Sequence, residues 1–175
     1  MKKTINNSFS RGRRAEFRFS EAIKQLGLLC VKSSKIDDIK RHIDFYIYGP
    51  EGENLISTVD VKGENQLNEI WVELTNVRGD KGWLYGDATV IAFETPELGG
   101  FSCVLTKHLV QYIEKNVSLD QVQKKDAYKK IYTRKDREDR ITLLCLEDLK
   151  RISSYKVIKY SDEYEHPKTK ERIKI

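Results

Sequence analysis

The sequence predicts a single α/β domain in which a mixed central β-sheet is flanked by helices. Three observations carry that prediction. Apolar residues recur at helical spacing near the start, several β-rich runs broken by turn residues follow, and two strand-to-helix units come after them. At 175 residues the chain fits one domain with a real core, and 39% hydrophobic with 10% aromatic residues is the composition of a globular chain. No repeat and no Pro- or Gly-rich linker divides it.

Taken in order, residues 10–27, SRGRRAEFRFSEAIKQLG, read as a helix. Ala15, Phe19, Ala22, Ile23 and Leu26 fall on one face and Gly27 ends it. LLCVKSS is a short extended piece. Residues 42–63, HIDFYIYGPEGENLISTVDVKG, are two β-runs around a turn, because GPEGEN supplies the breakers. In EIWVELTN, Ile70, Val72 and Leu74 alternate with Trp71, Glu73 and Thr75 as a third run. RGDKGWLYGD is a Gly-rich loop, and ATVIAFET is a nearly continuous apolar strand, which predicts a central place in the sheet. Helices are expected to begin near Thr106 and near Leu146, with the charged stretch 118–139 between their units.

Charge points to a partner. The net charge is +5, and it is uneven: residues 1–18 hold Lys2, Lys3, Arg11, Arg13, Arg14 and Arg18 against Glu16 alone. Residues 121–140 hold eight Lys or Arg against four acids. Two basic stretches on an otherwise balanced chain suit a polyanion, although a solvated surface has the same composition. No apolar run is long enough to span a bilayer, and MKKT is followed by polar residues where a signal peptide would be apolar. Cys30, Cys103 and Cys145, an odd number without a CxxC pair, read as buried reduced thiols, so a cytoplasmic location is expected. His42, His108 and His166 are too scattered for a histidine metal cluster. His42 shares its predicted strand face with Asp44.

The chemistry-bearing residues are acids and a lysine. Asp60 and Lys62 are two apart on a strand and project from one face, with Val61 on the other. Asp44 begins the preceding run, and an antiparallel pair would bring it near Asp60. Two converging carboxylates suit Mg²⁺, and a lysine beside them can orient a water or offset phosphate charge. Each residue also has a plainer reading. Asp60 and Lys62 could be a surface pair, Asp44 a strand-start residue bonding the backbone, and Glu16 a helix ion-pair partner. Glu73 is a reserve candidate that faces either the same cavity or solvent.

Asp44, a turn, then Asp60-Val61-Lys62 resembles the motif of the PD-(D/E)xK nuclease superfamily. Glu16, on a helix beside Arg13 and Arg14, resembles the first-helix acid of its Holliday-junction-resolvase-like and phage-type branches. The residue before Asp44 is Ile43 where the motif names proline. The resemblance implies a restriction-endonuclease-like αβββαβ core over about residues 11–116, followed by a strand–helix extension over 117–175. It also implies Mg²⁺-dependent hydrolysis of DNA that leaves 5′-phosphates, with Mn²⁺ as a substitute and RNA the less expected substrate. Asp44, Asp60, the Val61 carbonyl and Glu16 would hold metal, and Lys62 would position the attacking water. Small members often pair to cut two strands, so a homodimer is an expectation. The rival from another class is a non-catalytic nucleic-acid-binding module on the same fold, and a third is an interaction protein whose acids are incidental.

Outside the acids, Arg78 and Lys81 sit among glycines and aromatics in residues 76–87, a composition that suits close approach to phosphates with Trp83 or Tyr85 stacking nearby. Arg13, Arg14, Arg78 and Lys81 are thus the expected nucleic-acid contacts, with Arg134 and Arg137 as further candidates. The phosphate-loop pattern GxxxxGK[ST] is absent.

Overall fold

A computed structural model of the chain describes residues 7–63 and 68–160. The elements run α1 (Asn7–Gln25), β1 (Leu29–Lys32), α2 (Lys35–Arg41), β2 (Phe45–Tyr48), β3 (Leu55–Lys62), β4 (Ile70–Thr75), β5 (Val90–Thr95), β6 (Gly100–Leu105), α3 (Thr106–Asn116), β7 (Gln121–Val122), β8 (Ile131–Tyr132), β9 (Arg140–Leu144), α4 (Leu146–Lys150) and β10 (Lys156–Lys159). They form an α/β domain around a mixed six-stranded sheet of order β1-β2-β3-β5-β6-β10. The β3–β5 pair is parallel, and the other four pairs are antiparallel.

Side-chain alternation divides the molecule into layers. On one face α1 lays Ala15, Phe19 and Ile23 against Phe45, Ile47, Val59, Val61, Ala92 and Phe101. Phe19 is 1% exposed and meets Phe101 edge-on at 5.2 Å between centroids. A side chain of that size buried this fully contributes about 2–3 kcal/mol. On the opposite face Ile91, Phe93 and Val104 meet Leu109 and Ile113 of α3 together with Ile70, Val72 and Leu144. These last three belong to a second, four-stranded sheet of order β4-β9-β8-β7.

Several expectations change in detail. Leu26 is 60% exposed, because α1 ends at Gln25 and the chain turns away at Gly27, whose φ is +74°. Residues 69–76 do form a strand, but β4 leaves the main sheet and pairs with β9, Trp71 opposite Leu143. The main sheet therefore runs from β3 directly to β5, which lies centrally as its apolar sequence requires. Residues 117–160 are woven into both sheets, since β9 pairs with β4 and β10 pairs with β6. Cys103 is buried, whereas Cys30 and Cys145 are only partly so, and all three thiols are unpaired. Lys2, Lys3 and His166 lie outside the described residues. Among the described residues no helix is long and apolar enough to cross a membrane.

Candidate nucleic-acid interface

The β2–β3 hairpin sets Phe45 opposite Val59, so Asp44 arrives beside Asp60 at the end of the pair. The Asp44 backbone N–H donates to the Val59 carbonyl at 2.8 Å, and Asp44 Oδ2 accepts from the Val61 N–H at 2.7 Å. Val59 and Val61 face α1, so Asp60 and Lys62 project from the other face. Asp60 is 3% exposed, with Oδ2 2.7 Å from Lys62 Nζ. That contact is one of charge without hydrogen-bond alignment, which leaves Oδ2 unsatisfied as an acceptor. Burial pushes the Asp60 carboxyl up to about 7, Lys62 opposes the shift, and the neighbouring Asp44 adds to it.

Glu16 reaches this group only through a lysine. Lys32 Nζ lies 2.6 Å from Glu16 Oε2 and 3.4 Å from Asp44 Oδ1, which strings the three residues across α1, β1 and the start of β2. Each acid is therefore committed: Asp44 to a backbone N–H and Lys32, Asp60 to Lys62, and Glu16 to Lys32. Among the described residues no group of three or more His, Cys, Asp or Glu side chains is placed to hold a metal ion. This corrects the expectation of an Mg²⁺ or Mn²⁺ site on Asp44, Asp60, Val61 and Glu16. The metal-dependent nuclease read from the motif, its hydrolysis to 5′-phosphates and the water-positioning role of Lys62 fall with it. The pattern Asp…Asp-x-Lys records two acids and a lysine converging; it does not record that Lys32 and a backbone N–H occupy the oxygens.

The arrangement opens instead into a cleft of about 630 Å³ between the end of β3, the N-terminal half of α1 and the small sheet. Gly63 lets these walls meet, because a Cβ there would stand 3.2 Å from the Arg11 carbonyl oxygen and 3.3 Å from Ala15 Cβ. Four cations line the cleft: Arg11, Lys62, Lys124 and Arg134. Arg11 Nε is buried without a hydrogen-bond partner. Arg134 is fixed by Asp139, whose carboxylate accepts from its Nε and, at 3.0 Å, from its backbone N–H. Three aromatic side chains share the lining. Lys62 Nζ lies 4.7 Å from the Trp83 ring centre, Lys124 Nζ lies 5.9 Å from that of Trp71, and Trp71 tilts against Tyr132 at 6.3 Å. Glu69 accepts from Trp71 Nε1 at 3.1 Å. Glu73, the reserve candidate, also lines the cleft; burial raises its carboxyl while Lys62, the Trp83 N–H and Arg134 pull it back.

The other predicted contacts lie apart. Arg13 and Arg14 are exposed on α1, and Arg78 is exposed in a turn that Asn76 closes by accepting from the Arg78 and Asp80 N–H groups. Lys81 borders a separate, mainly apolar groove with Tyr85 and Val110. Arg137 is exposed, and His42 is not on a strand: it caps α2 with φ +53°. Arg11, Trp71, Lys124 and Tyr132 are the residues that sequence reasoning missed. The two basic stretches contained Arg11 and Lys124, but nothing local joins them to aromatics on β4 and β8. The chain matches no protein-family model, no curated protein and no solved structure.

Proposed function

We propose that the protein is a non-catalytic nucleic-acid-binding module, with DNA as the expected partner, built on a restriction-endonuclease-like core. The observation that carries this reading is the cleft in which Arg11, Lys62, Lys124 and Arg134 converge with Trp71, Trp83 and Tyr132. Cations neutralise phosphates and aromatic faces accept bases, and the pairing of the two in one cleft is what nucleic-acid binding uses. The packing of α1 over the β2–β3 hairpin and the places of Asp44, Asp60 and Lys62 support the finer statement about the core. In this reading the acids and Lys32 are structural, tying α1, β1 and β3 together beneath the cleft.

The test is fluorescence anisotropy of labelled DNA oligonucleotides across a salt series. Binding should weaken linearly in log–log form with a slope of about −2 to −3, as expected when several cations displace counterions. Lys124→Ala should flatten that slope by about 1, and a chelator should change nothing. Absence of binding at about 50 mM salt, or affinity indifferent to salt, would overturn the reading.

A further inference from the structure

We infer that the cleft takes an unpaired nucleobase, so that the preferred partner is a single strand rather than a duplex; this rests on the nucleic-acid reading above. The distribution of charge inside the cleft gives the orientation. Glu69 and Glu73 are part of the lining, and carboxylates repel phosphate while accepting hydrogen bonds from base edges. Lys62 and Lys124 stand over the rings of Trp83 and Trp71, each pairing an ammonium with an aromatic face. A base takes the ring face as its flanking phosphate draws the flexible lysine ammonium off it, so that one nucleotide satisfies both groups. The partnerless Nε of Arg11 offers one more buried donor to the same ligand.

Size and shape select the unpaired form. A space of about 630 Å³ is ligand-sized, suited to a nucleotide or two and far too small for a helix. A duplex hides its base faces in the stack and presents only edges and phosphates, so it would gain nothing from Trp71 or Tyr132. A single strand exposes those faces without an unpairing cost, whether its sugar is deoxyribose or ribose.

The experiment compares a labelled single-stranded DNA, the RNA of the same sequence and the hairpin duplex, using wild type, Trp71→Ala, Trp71→Phe and Tyr132→Ala. The single strands should bind at least tenfold tighter than the hairpin and quench tryptophan fluorescence. Trp71→Ala should cost about tenfold on the single strands, the loss of one stacked base, and leave the hairpin unchanged. Trp71→Phe should recover most of that loss, and Tyr132→Ala should repeat the selective loss if Trp71→Ala folds poorly. Relative affinity for the DNA and RNA strands identifies which source the base comes from. Equal affinity for strand and hairpin, or equal losses on both, would overturn the single-strand inference while leaving nucleic-acid binding intact. Failure of every form to bind would overturn both.

Discussion

Asp60 should make the protein less stable as pH rises from about 4 to about 7, and replacing it with a side chain that does not titrate should abolish that contribution. Its ordinary pKa is 3.8 and burial pushes it up to about 7 in the folded protein. Between those values the unfolded chain has released the proton while the folded one keeps it, so stability falls with rising pH. Each pH unit costs about 1.4 kcal/mol, which comes to about 4 kcal/mol over the whole interval and about 3 kcal/mol between pH 5 and pH 8. Asn at this position imitates the protonated side chain. Asp60→Asn should therefore be the more stable protein, with an advantage about 3 kcal/mol larger at pH 8 than at pH 5. The attraction of Lys62 is already contained in that figure, since without it the buried carboxyl would stand higher still. Urea unfolding of both proteins at the two pH values reads the difference directly, and groups that titrate in both cancel. An advantage that is the same at pH 5 and pH 8, or that shrinks, would refute the reasoning.

Two further expectations concern other parts of the fold. Asp148 is 1% exposed and accepts from Tyr112 Oη at 2.8 Å, Tyr128 Oη at 3.2 Å and the Cys145 N–H at 3.0 Å, with Lys129 Nζ at 2.7 Å. Burial alone would raise its carboxyl, but Lys129, the Cys145 N–H and Tyr112 hold it well below 3.8. Asp148→Ala should cost about 3–5 kcal/mol near neutral pH by urea unfolding, and that cost should shrink as pH falls below 3.8, where the wild type loses its own advantage. At Gly82 a Cβ would overlap the Glu73 carbonyl, so Gly82→Ala must displace β4 or the turn that carries Trp83. It should lower stability by about 1–3 kcal/mol in a thermal melt and weaken oligonucleotide binding, and an unchanged melt would contradict the contact.

Where a segment's own sequence decided its structure, it was legible. Helical spacing placed Ala15, Phe19, Ala22 and Ile23 in the core, and the switch of period at Leu105 and Thr106 marked the start of α3. The apolar run from Val90 to Thr95 marked β5 as central. The short α2 was missed although its cues are local: Ser34 caps it by accepting from the Asp37 N–H, and Ile36 and Ile39 stand three apart, but seven residues are too few to establish a period and both isoleucines stay exposed. The partner of β4 was not legible at all, since alternation shows which face is buried and not which strand lies beside it. At the candidate site the convergence of Asp44 on Asp60 followed from the hairpin. Lys32's claim on Glu16 and Asp44 did not, because it depends on how β1 and α1 pack. The aromatic wall of the cleft comes from residues some sixty positions apart, Trp71 and Tyr132, and their meeting is purely tertiary.

The detour of the chain between β3 and β5 also sets an order in time. A hairpin such as β2–β3 can close as soon as both strands exist, whereas a parallel pair must wait for its connection to cross over. Here that connection contains β4, whose ladder is completed by β9, with Ile70 opposite Leu144. A chain growing from its N-terminus can thus assemble α1 on the β2–β3 hairpin early, while the wall carrying Trp71 and Tyr132 must wait for synthesis to reach Leu144. Arg11 and Lys62 are in place before Lys124, Arg134 and the aromatic wall, so the nascent protein carries part of the charge of the cleft well before it becomes a recess with a shape.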